Sequence, residues 1–347
     1  LTFMLEPGTG IGAGAVTYNT DGTAEFTGAM TSVNYAARLH VVADEGATVT
    51  ATGKGIVVKN ATEVTFYLKG ATNFNGDMEV LNNYFTTETP AQVNERVKGE
   101  IEAAKAKGFA AVEAAHVADF TAITKRMTFD LGLTTPTVDT KTLVDNYYPN
   151  NANASSTKND HLFLEQLYFH YGRYLAISSN RKPIAAPNNL QGIWNDKVAP
   201  PWSSNYTVNI NTEMNYWPVL PCNLAEFNQP VIDLVKDLSV KGERTAKEIY
   251  GARGFCAHHN VDIWRYCDPA AGDTQWGYWQ MAGGWFCQHI YNHYLYTLDE
   301  AYLKETAYPI MKSACEFMLD LLIEDKDGYE IESDWSFLDY KCDQQYR

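Results

Sequence analysis

Residues 188–218 read NNLQGIWNDKVAPPWSSNYTVNINTEMNYWP, and the interpretation of the whole chain depends on this stretch. It mixes aromatic and aliphatic residues with many asparagines, among them Asn209, Asn211 and Asn215. A buried asparagine amide brings two donor hydrogens and two acceptor lone pairs that must be matched. Three such residues in an apolar run therefore indicate a polar site or a set of turns.

Asn209 and Asn211 allow two interpretations. If the segment is extended, both amides point to one side while Val208 and Ile210 point to the other. Two parallel amides can then hold one small object, such as a water molecule or a carboxylate. Alternatively, the pair makes a turn or caps a helix, as asparagine often does. The spacing by itself slightly favours the second interpretation.

The chain on either side of this stretch divides into three parts. Residues 1–88 contain short runs rich in Val, Thr and Tyr, separated by Gly and Asn, which predict β-strands and a hairpin turn at ATGKGIV. Residues 89–160 predict two helices broken near Gly108, followed by an Asn- and Ser-rich loop. Residues 161–347 predict helices separated by loops rich in Trp, Asn and His, an arrangement typical of a helical barrel.

The helical prediction rests on apolar residues that recur at steps of three and four. Three such stripes are Leu164, Leu167, Tyr171 and Tyr174; Leu224, Phe227, Val231, Leu234 and Leu238; and Ile310, Ala314, Phe317 and Leu321.

Composition narrows the class of function. The 347 residues carry a net charge of −15, which disfavours nucleic acid and anionic membrane surfaces as partners. A neutral sugar is compatible with that charge. The chain has 8 Trp, 22 Tyr and 15 Phe, which indicate a large aromatic core or rings that stack on sugars. No apolar run is long enough to span a membrane.

Six cysteines occur without a C-x-x-C pair, so buried free thiols are expected rather than a zinc ribbon or a disulfide scaffold. The first residue is Leu1 rather than Met, and we therefore expect the chain to start inside a longer precursor.

Two groups of histidines are further candidates. His289 and His293 share one helix face, but two ligands do not make a metal site, and packed or hydrogen-bonded histidines are the favoured interpretation. The loop CAHHNVDIW (256–264) contains His258 and His259. It is either a satisfied polar loop or a ring of donors for sugar hydroxyl groups, and the sequence does not choose between them.

Four blocks resemble glycoside hydrolase family 95, the inverting α-L-fucosidases. They are residues 188–218, YGARGFCAHHNVDIWR (250–265), WGYWQMAGGWFCQHIYNHY (276–294) and AYPIMKSACEFMLDLLIED (307–325). The segment GFAAVEAAHVADFTAITKRMTFDLG (108–132) also resembles the connector of that family.

The resemblance implies a multidomain protein. Residues 1–88 correspond to the C-terminal part of an N-terminal β-sandwich, residues 89–160 to a helical linker, and residues 161–347 to the first half of an (α/α)6 helical barrel. It also implies cleavage of terminal α-L-fucose, 1,2-linked to galactose, with inversion. The substrate is then a fucosylated oligosaccharide or glycan, and no metal or organic cofactor is implied.

In the family, two asparagines assist an Asp that acts as general base, and the matching positions are Asn209 and Asn211. Such a pair orients the catalytic water without adding a charge, so the pKa of the general acid can rise in its own pocket. Trp194, His258, His259 and Trp276 are the expected contacts to the substrate.

The chain departs from the family after DGYEIES (327–333), where a Ser/Pro-rich motif with the general acid is expected. Glu332 and Asp339 are nearby carboxylates, but neither stands in that context. The family's base is expected beyond Arg347. We therefore predict an inactive fragment, whose partial barrel exposes an apolar face.

Three alternatives remain open: a non-catalytic carbohydrate-binding protein, an α-L-galactosidase of the same family, and another helical-barrel glycosidase or lyase. Because fucosylated glycans are extracellular, a secreted or periplasmic protein is expected.

Overall fold

The computed structural model describes residues 1–8, 14–75, 84–147, 156–181, 186–270, 277–324 and 330–332. The chain forms two compact units. Unit 1 comprises Leu1–Lys125 and Asp196–Pro200, and unit 2 comprises Arg126–Asn195 and Pro201–Arg347. The predicted boundaries at residues 88 and 160 stay a prediction.

Unit 1 contains two antiparallel sheets. Its strands are β1 (Thr2–Phe3), β2 (Thr17–Tyr18), β3 (Thr23–Ala29), β4 (Asn34–Ala43), β5 (Thr48–Thr52), β6 (Gly55–Lys59) and β7 (Val64–Thr72). One sheet has the order β2-β3-β4-β7 and the other β1-β6-β5. Both contribute to one core of Ala24, Leu39, Val41, Ile56 and Val58. This arrangement is consistent with part of a sandwich, and the predicted hairpin joins β5 to β6.

Two helices complete unit 1, α1 (Pro90–Lys107) and α2 (Phe109–Thr124). Thr89 caps α1 in a capping box with Gln92, which satisfies backbone N–H groups that the helix leaves free. The apolar face of α1 packs on Ala36 of β4 and buries Val93, Val97 and Ile101. The predicted break at Gly108 is confirmed.

Unit 2 is mostly helical. Its helices are α3 (Thr140–Asp145), α4 (Lys158–Ser179), α5 (Asn211–Tyr216), α6 (Gln229–Thr245), α7 (Ala282–Thr297), α8 (Glu300–Tyr302) and α9 (Tyr308–Leu321). Its strands are β8 (Tyr206–Thr207), β9 (Asn260–Val261), β10 (Leu322–Glu324) and β11 (Glu330–Glu332). Short 3₁₀ turns lie at Pro201–Ser204 and Ala225–Asn228, and π-helical turns at Ala246–Tyr250 and Leu303–Ala307.

Two of the three predicted apolar stripes form the core of unit 2. All five residues of the stripe that begins at Leu224 are buried, and so are all four of the stripe that begins at Ile310. The third stripe correctly predicts α4, but Tyr171 and Tyr174 are exposed and stack on each other at 5.9 Å. Tertiary packing thus selects a different face of α4, which buries Ala176 and Ile177.

Helices α6, α7 and α9 pack against one another and hold the loop that leads to β9. The Cys256 N–H donates to the Gly242 carbonyl of α6 at 3.1 Å, and a Cβ at Gly242 would lie 2.5 Å from the Cys256 oxygen. Gly254 has a φ of +65° and lies against α9, where a Cβ would meet the Ser313 carbonyl at 1.9 Å. Only glycine fits this contact, so the path of the loop is fixed on both sides.

No helix in the described ranges has the length and apolarity to cross a membrane. The predicted free thiols are confirmed as buried at Cys222, Cys256 and Cys267, whereas Cys287 is half-buried and Cys315 is exposed. Cys342 lies outside the described residues. The partial (α/α)6 barrel stays a prediction.

Candidate active site

The chain changes direction at the two candidate asparagines. Strand β8 pairs antiparallel with β9, and the pairing continues as the Val208 N–H donates to the His259 carbonyl at 2.8 Å. Residues 208–210 then form a turn, and Asn211 is the first residue of α5. The condition for two parallel amides on an extended strand is therefore not met, because the strand ends at Thr207.

The structure leaves both amides accessible. Asn209 is half-buried and Asn211 is exposed. Among the residues that the structure describes, neither side-chain amide has a hydrogen-bond partner, and α5 has no side-chain cap at its N-terminus. Asn209 thus lies in a turn, but the capping role considered for the pair is absent. Two amides with free donors and acceptors are suited to binding a polar ligand.

Asn215 has a different, structural role. Its Nδ2 donates to the Asn189 carbonyl at 3.2 Å. The neighbouring Tyr216 hydroxyl donates to Asn180 Oδ1 at 2.6 Å and accepts the Asn188 N–H at 2.9 Å. Tyr216 is buried, and burial raises the pKa of its hydroxyl. These contacts anchor the segment around residue 189 to α5.

Trp194 is presented by a tight turn on that anchored segment. Gly192 has a φ of +67°, and a Cβ there would lie 2.8 Å from Trp194 Cε3. The indole therefore lies over Gly192, and 47% of Trp194 remains exposed. A partly exposed ring that is held in place from below is suited to stacking on a sugar face.

A second exposed indole, Trp202, was not predicted from the sequence as part of the site. Trp202, Ser203 and Ser204 all adopt positive φ, between 50° and 56°. Left-handed backbone costs about 1–2 kcal/mol per residue without glycine, so three in a row need support from their surroundings.

That support comes from the segment that carries Trp194. The Leu190 N–H donates to the Asn205 carbonyl at 3.3 Å, and Gln191 Nε2 donates to the Pro201 carbonyl at 3.5 Å. Trp202 is 72% exposed. No glycine marks this turn, so its conformation cannot be inferred from the sequence.

The two loop histidines differ in what they can bind. His258 is fully buried; its Nδ1–H donates to the Cys267 carbonyl at 2.7 Å, and its Nε2 accepts the Tyr250 hydroxyl at 2.7 Å. Burial lowers the pKa of His258, so the ring is neutral. Both ring nitrogens are occupied, and the predicted contact of His258 to substrate stays a prediction.

Among the described residues, His259 keeps one ring nitrogen without a partner. Its Nδ1 is buried and has no partner in the described part of the chain. Burial lowers the pKa of the ring, and the Gly277 carbonyl opposes this. The His259 carbonyl accepts the Val208 N–H, and Val208 directly precedes Asn209 in the chain. Asn260 and Asp262 instead hold the loop, through Thr207 and the backbone N–H groups of 264 and 266.

Helix α7 supplies two more histidines, and the predicted packing of both is confirmed. His289 Nε2–H donates to the Glu213 carbonyl of α5 at 3.0 Å, and burial lowers the pKa of the ring. His293 Nδ1 lies 3.5 Å from Asn228 Nδ2, and its ring meets Tyr302 edge-on. Within the described ranges, no group of three or more His, Cys, Asp or Glu residues is arranged to hold a metal.

Glu213, in the first turn of α5, is the most unusual acidic residue. It is fully buried, and neither carboxyl oxygen has a hydrogen-bond partner among the described residues. Burial raises the pKa of its carboxyl to about 8, although the backbone N–H groups of Glu213 and Ile210 act in the opposite direction. Glu213 lies within the 188–218 block, and no sequence pattern there indicates a role for it.

Three residues considered from the sequence have no described side chain: Trp276, Glu332 and Asp339. Trp276 and Asp339 lie outside the described residues. Glu332 ends β11, which pairs with β10, and only its backbone is described.

Comparison with known proteins gives concordant results. A family model described as "Glycosyl hydrolase family 95 catalytic domain" matches residues 108–336. The chain is 34% identical over 302 residues to "Alpha-L-fucosidase 2" of Arabidopsis thaliana, covering 86% of this chain and 34% of that protein. It is also 34% identical over 230 residues to "Probable alpha-fucosidase A" of Aspergillus niger, covering 64% of this chain and 28% of that protein. The chain thus spans about a third of the length of these relatives.

A solved structure with a similar fold supports this architecture. A "Putative kojibiose phosphorylase from human microbiome" superposes with a TM-score of 0.56 at 12% identity, covering 90% of this chain and 37% of that one. At this identity the likeness concerns the fold alone.

Proposed function

The chain belongs to glycosyl hydrolase family 95, and from that premise we propose that it is part of a glycosidase that removes terminal α-L-fucose from glycans. We propose 1,2-linked fucose on galactose as the substrate and inversion as the stereochemical course. The observation that carries the proposal is the pair of accessible amides at Asn209 and Asn211, within the segment matched by the family model.

The surroundings of the amides support a sugar as the ligand. A fucose ring offers hydroxyl groups for hydrogen bonds and a C–H face for an aromatic ring. Asn209 and Asn211 supply accessible polar groups, and the exposed indoles of Trp194 and Trp202 supply aromatic faces. We propose His259, which is 9% exposed, as a further polar contact. We further propose that Trp276 takes part in binding.

In the proposed reaction the two amides hold the water that attacks the anomeric carbon. Inverting hydrolysis places this water between two carboxyl groups about 6.5–9.5 Å apart, one acting as base and one as acid. An amide orients the water without competing for its proton, because it does not titrate in the relevant pH range. We assign neither carboxyl group to a residue of this chain.

Two further properties follow from the proposed substrate. Fucosylated glycans are extracellular, so we propose that the protein is secreted or periplasmic. The net charge of −15 fits a neutral glycan, and we propose that nucleic acid is not a partner.

Titration with fucose tests the proposal. We expect the chain to bind α-L-fucose, and Asn209→Ala or Asn211→Ala to weaken binding about 2- to 10-fold each, the value of a typical hydrogen bond. The matched control is Asn292→Ala, because Asn292 is exposed on α7. Equal binding by the two amide variants and the wild type would exclude the proposed role of the pair.

A non-catalytic sugar-binding protein is the competing function. Hydrolysis of 2'-fucosyllactose, followed by NMR to establish the anomeric configuration of the product, separates the two functions. Competition with α-L-galactose, which differs from fucose by a hydroxyl group at C6, tests the choice of sugar.

A further inference from the structure

We propose that Glu213 is a positioning residue of the sugar site, which stays protonated inside the protein and fixes the turn that carries Asn209 and Asn211. This inference rests on the proposed function of the two amides. Because Glu213 is fully buried, its side chain contacts neither solvent nor a bound sugar.

The burial of Glu213 determines its charge. Both carboxyl oxygens are out of contact with water and lack a hydrogen-bond partner among the described residues. An ionised carboxylate in such a place loses its hydration, and the backbone N–H groups of Glu213 and Ile210 offset only part of this cost. The neutral acid avoids most of this cost, and therefore the folded protein retains the proton.

Titratable neighbours do not supply a counter-charge. The elements packed against α5 are β8 and α7, which bring Tyr206 and His289. Burial raises the pKa of Tyr206 to about 12 and lowers that of His289, so both are neutral near pH 7. Among the described residues, no charged side chain contributes to the pKa of Glu213.

The position of the carboxyl links it to the amides. Glu213 lies in the first turn of α5, two residues after Asn211. The backbone N–H of Ile210, the residue between the two asparagines, lies close enough to the carboxyl to lower its pKa. Ionisation would draw this N–H toward the carboxylate and water into the buried turn. Both movements would displace Asn209 and Asn211 together.

Helix α7 holds the backbone of Glu213, whereas its carboxyl has no hydrogen-bond partner among the described residues. His289 donates to the Glu213 backbone carbonyl at 3.0 Å. A general acid must reach the glycosidic oxygen, so a fully buried Glu213 acts through the amides rather than on the substrate.

NMR of the side-chain amides tests the proposal in the complete chain without any sugar. The Asn209 and Asn211 amide resonances, assigned by loss in the Asn→Ala variants, are followed from pH 5 to pH 10. We expect both to shift with one common midpoint well above the ordinary range of a carboxyl group, and to stay constant in Glu213→Gln. Asn292, on the exposed face of α7, serves as the reference amide.

Infrared spectroscopy reports the proton itself. The C=O stretching band of a protonated carboxyl should be present at pH 7 in the wild type and absent from Glu213→Gln. Its absence from the wild type at pH 7 would overturn the proposal. The proposal would also be overturned if the amide resonances stayed constant while this band disappeared with rising pH. Glu213 would then be buried without positioning the two amides.

Fucose affinity separates this inference from the function on which it rests. We expect wild-type affinity to fall at least threefold across the same midpoint, while Glu213→Gln binds equally at both ends. If no fucose binds at any pH, the proposed function fails, whereas the amide resonances still decide the role of Glu213.

Discussion

Two polar regions of unit 2 adjoin each other but are built differently. In the loop 256–268, buried polar groups are mostly paired: Arg265 Nε donates to Asp237 Oδ2 at 2.9 Å, and His258 uses both ring nitrogens. In residues 188–195 and 201–216, several buried polar atoms have no partner among the described residues. These atoms are Asn188 Oδ1, Gln191 Oε1, Ser204 Oγ and both carboxyl oxygens of Glu213.

This difference separates structural from functional polarity. Buried polar groups are normally paired, because an unpaired one costs about 1–3 kcal/mol. The loop is therefore mostly satisfied, whereas residues 188–195 and 201–216 keep unpaired donors and acceptors in the described part of the chain. His259 lies where the two regions meet, since its carbonyl belongs to the pairing of β8 with β9 while its Nδ1 is unpaired.

The largest expected effect concerns the unpaired region and pH. Because the pKa of Glu213 is about 8 in the folded protein, against 4.5 ordinarily, its contribution to stability is complete below about pH 4.5. That contribution is lost as the pH rises through 8, by up to about 5 kcal/mol. Glu213→Gln should remove this slope, as measured by urea unfolding at pH 5, 7 and 9. Glu243→Gln, on the exposed side of α6, should retain it.

The second prediction concerns the buried ion pair between Arg265 and Asp237 in the paired region. Arg265→Met leaves Asp237 buried without its partner and should lower the free energy of unfolding by about 3–5 kcal/mol. Burial already raises the pKa of Asp237 despite Arg265, which shows that desolvation dominates this pair. The double variant Arg265→Met/Asp237→Leu should therefore recover most of the loss. If the double variant is no more stable than Arg265→Met, the unpaired charge of Asp237 is not the cause of the destabilisation.

The third prediction compares the two histidines. His258→Phe removes the hydrogen bonds that the imidazole makes with the Tyr250 hydroxyl and the Cys267 carbonyl, and should cost about 1–3 kcal/mol of stability. His259→Phe should cost less and should weaken fucose binding instead. Thermal unfolding and sugar titration of both variants, run in parallel, test this contrast. The reverse pattern would assign the ligand nitrogen to His258.

The smallest effect is expected at an exposed ion pair. Arg253 contacts Asp320 through both carboxylate oxygens and holds the pKa of that carboxyl at about 2. Solvent screens such pairs, so Arg253→Met should leave the urea midpoint at pH 7 unchanged within error. This variant is also the reference for Arg265→Met, because both remove an arginine from an ion pair with an aspartate. A loss comparable to that of Arg265→Met would mean that burial does not govern the difference.

The elements of the fold were largely predictable from periodicity. The strands of residues 34–59, the break at Gly108 and the stripes on α6 and α9 follow from local pattern, because propensity and burial agree there. On α4 they disagree. Tyr171 and Tyr174 satisfy a helical period, yet packing buries the face of Ala176 and Ile177.

The candidate site was predictable only in part. The sequence by itself determined the family and the packed state of His289 and His293, and it singled out Asn209 and Asn211 as candidates. Tertiary structure alone decided that Asn211 begins a helix, that His258 is fully paired while His259 is not, and that Trp202 is displayed on a left-handed turn. The physical reason is that periodicity records which residues leave water, whereas the pairing of a buried donor or acceptor depends on atoms brought from distant parts of the chain.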